Sequence, residues 1–151
     1  MAKVVFVLNG PNLNLLGERE PELYGRATLA EIRGVCASRA KIHGLGLDFR
    51  QTNFEGVLIE SVHEARKAAA GIIINPAGLT FTSIALLDAL KAFDGPKIEL
   101  HITNIHQRDA IYQNSLVSKT ATAVIAGLGP GGYGMAVDAM AMLLGSVRKK
   151  R

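Results

Sequence analysis

The sequence predicts an α/β fold, with a parallel sheet covered by helices on both faces. Short, β-branched apolar runs such as KVVFVL (residues 3–8) and GIII (71–74) alternate with longer amphipathic stretches. The runs end in Asn, Gly and Pro, as buried strands do where they turn. Tryptophan is absent and aromatics make up 5%, so Ile, Leu, Val and Ala must fill the core, as in a parallel sheet buried on both sides. At 151 residues the chain suits one domain, 1–151, with one core.

The first strand, 3–8, ends at Asn9-Gly10-Pro11. Thr28 and Glu31 form a capping box, predicting a helix to about His43 that Gly44 and Gly46 stop. Residues 45–52 give the second strand. Helical periodicity resumes over 56–70, with Leu58, Val62 and Ala65 on one side and Glu60, Glu64 and Lys67 on the other. The third strand, 71–74, is closed by Asn75-Pro76. A helix is expected over 82–93, the fourth strand over 97–102, and the core of the fifth over 124–126. A glycine-rich turn, GLGPGGYG, then leads into a last helix to about Gly145. Five strands with right-handed crossovers favour the flavodoxin-like order 2-1-3-4-5.

The connection over residues 10–27 is long for a compact domain, and such loops are usually functional. It carries Asn12, Asn14, Arg19 and Tyr24 rather than a Gly/Ser run, which predicts a lid over about 17–25.

The formal charge of +4 is partly in the tail Arg148 to Arg151, expected to be a solvated end since no nucleic-acid motif accompanies it. The remaining charge would favour an anionic small molecule. Cys36, the single cysteine, falls in a helical pattern and is expected to be a buried, inert thiol. No signal-like segment follows Met1 and no apolar run approaches the ~20 residues of a membrane span, so the cytoplasm is the expected location.

In such sheets ligands bind beyond the carboxyl ends of the strands, where strand order reverses. Asn9 to Asn12 follow strand one, Asn75 to Gly78 follow strand three, and strand four carries Glu99 and His101 before Ile102-Thr103. Alternation turns Glu99 and His101 to one face. A carboxylate that accepts from imidazole fixes its tautomer and suits it to acid–base work. Each feature alone also fits turn chemistry or a satisfied core histidine; their convergence points to a cleft. His43, His63 and His106 have no such setting and are expected at the surface or as local caps. Glu99 with His101 supplies too few ligands for a catalytic metal, so none is expected. The glycine-rich turn lacks both the Lys-Ser/Thr of a P-loop and the later acidic residue of a dinucleotide site, which favours a tight turn.

The stretch LNGPNLNLLGEREPELYG (8–25) closely resembles the first signature of the type II 3-dehydroquinate dehydratases. The resemblance continues through QTNFEG (51–56), INPAGLTFTSIALLDAL (74–90), ELHITNIHQRD (99–109) and VIAGLGPGGYG (124–134), in order and at family spacing. It implies a cofactor-free elimination of water from a cyclohexane carboxylate, and a flavodoxin-like subunit assembled into a homo-dodecamer. Tyr24 matches the phenolate base that takes a proton from the carbon beside the ketone. A free tyrosine has a pKa of about 10, and Arg19, on the same loop, would favour its ionised form by opposite charge. Asn12 matches the residue that holds a water against the enolate oxygen. His101, oriented by Glu99, would protonate the departing hydroxyl. Asn75, Ile102 and Thr103 would hold the substrate carboxylate, with Thr103 in place of the usual Ser. Asp88 matches the residue that reaches a neighbouring subunit's site.

Two positions depart from the family. Phe81 stands where it has His, and Tyr112 where it has Arg, both of which bind the distal ring hydroxyls. Phe81 has no donor, and a Tyr hydroxyl cannot reproduce a charged fork. Phe54, where His is common, points the same way, and no spacing argument places Arg108 as a substitute. The expected activity is dehydration of 3-dehydroquinate. The alternatives are the same elimination on a cyclic 3-keto acid lacking distal hydroxyls, or a non-catalytic binding paralogue.

Overall fold

In the computed structural model, residues 1–149 are described, with side chains through Gly145; the expected solvated basic end at Arg148 to Arg151 lies outside the described side chains. Five parallel strands, β1 (Val4–Asn9), β2 (Gly46–Gln51), β3 (Gly71–Asn75), β4 (Lys97–His101) and β5 (Ala123–Ala126), lie in the order β2-β1-β3-β4-β5. This is the predicted order, and it sets the reversal point between β1 and β3. Their registers pair Asn9 with Asn75 at the carboxyl ends, so the turns after both strands open at the same level.

Among the described residues, six helices accompany the sheet: α1 (Pro21–Tyr24), α2 (Leu29–Ile42), α3 (Glu55–Ala68), α4 (Leu79–Thr82), α5 (Ile84–Lys91) and α6 (Gly132–Lys149). Strand alternation divides the core in two. Val5, Val7, Ile73, Ile98 and Leu100 pack with Ile32, Cys36, Val137 and Met140 of α2 and α6. Phe6, Leu8, Ile72 and Ile74 pack with Leu58, Val62, Leu86 and Leu90 of α3 and α5. Cys36 is buried as expected, and burial pushes its thiol up to about 12.

The α2 start follows the capping box, with Thr28 Oγ1 accepting from the Glu31 backbone N–H at 3.2 Å. The helix predicted over 82–93 is corrected: the chain forms two helices, α4 and α5, broken at Ser83. Ser83 leaves helical geometry (φ −95°, ψ 94°) and its Oγ accepts from Leu86 N–H at 2.9 Å, so its hydroxyl starts α5 rather than continuing α4. The last helix runs on to Lys149, past its expected end at about Gly145. Helices do not alternate with strands throughout. The β4–β5 crossover consists of three 3-10 turns, Ile105–Gln107, Ala110–Tyr112 and Val117–Lys119. Val117 is buried in the α3/α5 core, so this segment covers β4 on that face.

The glycine-rich connection is a tight turn, with Gly127 at φ +88° and Gly129 at φ +65°, continuing into a short 3-10 turn. Gly10 serves close approach: a Cβ there would lie 2.4 Å from the Pro76 carbonyl oxygen. None of the helices, among the described residues, is long and apolar enough to cross a membrane.

Candidate active site

The turns after β1, β3 and β4 enclose a cleft at the reversal point, roofed by the 10–27 connection. Its lining includes Asn12, Arg19, Tyr24, Asn75, Phe81, His101, Ile102, Thr103, Arg108 and Tyr112. Nine of these ten are residues singled out from the sequence. The tenth, Arg108, had no spacing argument.

The long connection is ordered by short elements, a 3-10 turn at Leu13–Leu15 and α1, whose last residue is Tyr24. The QTN run (51–53) at the end of β2 anchors its base. Gln51 Nε2 donates to the Gly10 carbonyl (3.2 Å) and to Asn53 Oδ1 (3.0 Å), and Asn53 Oδ1 accepts from the Asn12 backbone N–H at 3.0 Å. Asn12 has a left-handed backbone (φ 71°), as has Ala77 (φ 53°) on the opposite wall. Asn tolerates this region and Ala does so only under strain, which concentrates at functional turns. Tyr24 is half-buried, with the Arg19 guanidinium 5.2 Å and the Arg108 guanidinium 5.8 Å from its ring centre.

At the back of the cleft His101 Nε2 donates to Glu99 Oε2 at 2.5 Å, leaving Nδ1 as the nitrogen not engaged by the carboxylate. Glu99 is fully buried and does not itself line the cleft. Burial pushes its carboxyl up, but hydrogen bonds from His101, Ser118 and Ser115 outweigh it and hold the group below the usual carboxylate range. Glu99 is therefore an anion behind an imidazole, and the two side chains share one face, as alternation on β4 predicted.

A second buried network sets Asn75. The Tyr133 hydroxyl donates to Asn9 Oδ1 at 2.7 Å and accepts from Asn75 Nδ2 at 3.0 Å. Asn75 Oδ1 in turn accepts from the Ala77 N–H at 3.2 Å, so the amide's orientation is fixed. Beside it, the backbone N–H groups of Ile102 and Thr103 make no hydrogen bond among the described residues, leaving donors for an anionic ligand.

The distal wall is aromatic. Phe81 packs edge-on to Tyr112 (ring centres 5.4 Å apart, 77° between planes) and stacks near His101 (6.3 Å, 24°). The Arg108 guanidinium covers Tyr112 at 3.9 Å. Arg108 thus occupies the region left without a cation at position 112. Phe54 is corrected: it is 72% exposed at the start of α3 and does not line the cleft. Asp88 is exposed on α5, outside the cleft of its own chain. Arg108 depends on the irregular path of residues 105–113, where Gln113 Nε2 holds the Ile105 and Arg108 carbonyls, and no periodicity signals that path.

The sequence model of the class II dehydroquinases matches residues 3–141. The chain belongs to this family. It is 51% identical over 150 residues to a 3-dehydroquinate dehydratase of Rhodopseudomonas palustris, covering 99% of each chain. It is also 54% identical over 138 residues to 3-dehydroquinate dehydratase 2 of Pseudomonas aeruginosa, covering 91% of this chain and 93% of that one. Among solved structures, the type II dehydroquinase of Propionibacterium acnes superposes with a TM-score of 0.90 at 39% identity, over 94% of this chain and 98% of that one.

Proposed function

We propose that this family member is a hydro-lyase that removes water from 3-dehydroquinate to give 3-dehydroshikimate, with Tyr24 as base and His101 as acid. The observation that carries the reading is the pairing within one cleft of a phenol flanked by two guanidinium groups and an imidazole fixed on a buried carboxylate.

The substrate carboxylate is held by the Asn75 amide and the backbone donors of Ile102 and Thr103. Tyr24, as phenolate, takes a proton from the carbon beside the ketone, with Arg19 and Arg108 supplying the positive charge an anionic base requires beside it. The electron pair moves onto the ketone oxygen, where a water held by Asn12 stabilises the enolate. As the enolate collapses, the carbon–oxygen bond to the departing hydroxyl breaks and His101 gives that hydroxyl its proton. The proton on Tyr24 then returns to His101 through solvent, restoring both groups. Asp88, exposed on α5, contributes to a neighbouring copy's cleft in a homo-dodecamer.

One observation favours a second reading. Phe81 and Tyr112 face the distal ring carbons with an aromatic wall, which suits a cyclic 3-keto acid lacking one or both distal hydroxyls. A ring hydroxyl buried there without a partner would cost ~1–3 kcal/mol.

The test is turnover by purified protein, following the conjugated enone by ultraviolet absorbance. Normal turnover of 3-dehydroquinate eliminates the deoxy-substrate reading. Enone formation only from a deoxy analogue overturns the first reading. Saturable binding with no product from either would identify a binding protein.

A further inference from the structure

A fully buried carboxylate needs donors for both oxygens if it is to stay ionised. Glu99 Oε2 receives His101 Nε2 at 2.5 Å and the Ser115 hydroxyl at 2.8 Å, while Oε1 receives the Ser118 hydroxyl. The direction of these bonds is forced. Ser115 Oγ already accepts the Ser118 backbone N–H at 3.2 Å, so its own proton is left for the carboxylate. The segment bearing both serines is anchored independently of Glu99: Leu116 N–H donates to the Thr80 carbonyl at 2.9 Å, and Val117 is buried in the core.

We propose that Ser115 and Ser118 are positioning residues for the acid, their hydroxyls clamping the Glu99 carboxylate and through it the tautomer and orientation of His101. The catalytic meaning of this clamp rests on the assignment of His101 above; its geometry does not. Ser118 lies in the 3-10 turn Val117–Lys119 and Ser115 three residues before it, a spacing that puts both hydroxyls on one side of the turn, toward the same carboxylate. Thr80, the anchor of the clamp, also precedes Phe81, so the acid and the distal wall share one support.

The other titratable groups on the surrounding elements do not replace the serines as donors to Glu99. On β4, the Lys97 ammonium donates to the Phe93 carbonyl at 2.6 Å. On the crossover, Lys119 is exposed, and Arg108 and Tyr112 stack on one another in the cleft. Arg19 and Tyr24 face His101 from the roof. The sign follows from the donors: removing them destabilises the Glu99 anion, so its titration moves up. A neutral Glu99 would no longer hold the proton of neutral His101 on Nε2.

The experiment is magic-angle-spinning NMR of protein carrying ¹³C-labelled glutamate and ¹⁵N-labelled histidine, recorded over pH without substrate. The Glu99 signal is identified by its loss in Glu99→Gln. In Ser115→Ala/Ser118→Ala the Glu99 carboxyl should titrate about one pH unit or more higher, equivalent to a ten-fold change in its proton affinity. Neutral His101 should shift from the Nε2–H tautomer to a mixture. Ser115→Thr/Ser118→Thr, which keeps both hydroxyls, should restore the wild-type signals, separating the clamp from general disruption. An unchanged Glu99 midpoint and His101 tautomer in the double alanine variant would overturn the proposal, as would failure of the threonine pair to rescue a folded protein. A clamp intact by NMR in a protein that does not turn over 3-dehydroquinate would instead count against the substrate assignment alone.

Discussion

Tyr24 is the residue on which the proposed chemistry turns, because a phenol acts as base only as an anion. Tyr24→Phe keeps the ring against which Arg19 and Arg108 stand and removes only the oxygen. It is expected to lower kcat by at least ~10²-fold, the usual worth of a positioned base, with ligand affinity by calorimetry changed little. Retention of near-normal turnover would move the base elsewhere. At the other end of the pocket, Phe81→His with Tyr112→Arg should raise kcat/KM for 3-dehydroquinate by roughly 10- to 100-fold, since each restored donor satisfies a hydroxyl otherwise buried unpaired. No gain would mean that Arg108 already supplies that contact. Glu99 gives a prediction about stability. Its carboxyl is held below its usual range in the folded protein, so the stability it contributes is fully present above the unfolded value of about 4.3 and is lost as pH falls through the lower folded value. Urea unfolding should therefore show Glu99→Gln less stable than wild type at neutral pH by ~1–3 kcal/mol, with the gap closing below about pH 4. A gap that widens on acidification would reverse the sign assigned to this group.

Among the elements, those with local causes were legible and those shaped by tertiary contacts were not. Strand β3 and helix α2 follow from an unbroken β-branched run and from Thr28 with Glu31, signals contained within a few residues. The break at Ser83 was missed because Thr82 to Leu86 reads as continuous helix until the Ser83 hydroxyl takes the Leu86 N–H. The crossover over 102–122 has no period at all. Its path is set by contacts made elsewhere, such as Leu116 to Thr80 and Thr122 N–H to the Lys97 carbonyl. The pinch between the first two cleft turns is testable at this scale. In Gly10→Ala the new methyl meets the Pro76 carbonyl at 2.4 Å, backbone that cannot swing aside. Chemical denaturation should show a loss of ~1–3 kcal/mol, as for overpacking elsewhere, and the Asn9–Tyr133–Asn75 network should be displaced with it. A neutral substitution would show that the turns are free to separate.

For the whole molecule, the unfinished feature is Asp88, exposed on α5 and away from its own cleft. Exposed apolar side chains such as Ile84, Ile111 and Leu128 leave surface for subunit contacts. Sedimentation equilibrium should report a mass near twelve times the 16.1 kDa chain. A monomer would remove both the assembly and the proposed role of Asp88.

The sequence by itself determined the parallel sheet, its strand order, and the gathering of Asn12, Arg19, Tyr24, Asn75, Phe81, His101, Ile102, Thr103 and Tyr112 at one end of it. The sheet, its order and the convergence of the strand ends follow from periodicity and turn residues, which act over short stretches of chain and over fixed crossover geometry, whereas Phe81 and Tyr112 were placed by the resemblance to the family. Only the tertiary structure decided that Arg108 covers Tyr112, that Phe54 faces away from the cleft, that Tyr133 sets the Asn75 amide, and that Ser115 and Ser118 close on Glu99. Those contacts join segments without shared periodicity, and their partners are selected by the need to satisfy buried polar groups once the sheet has formed.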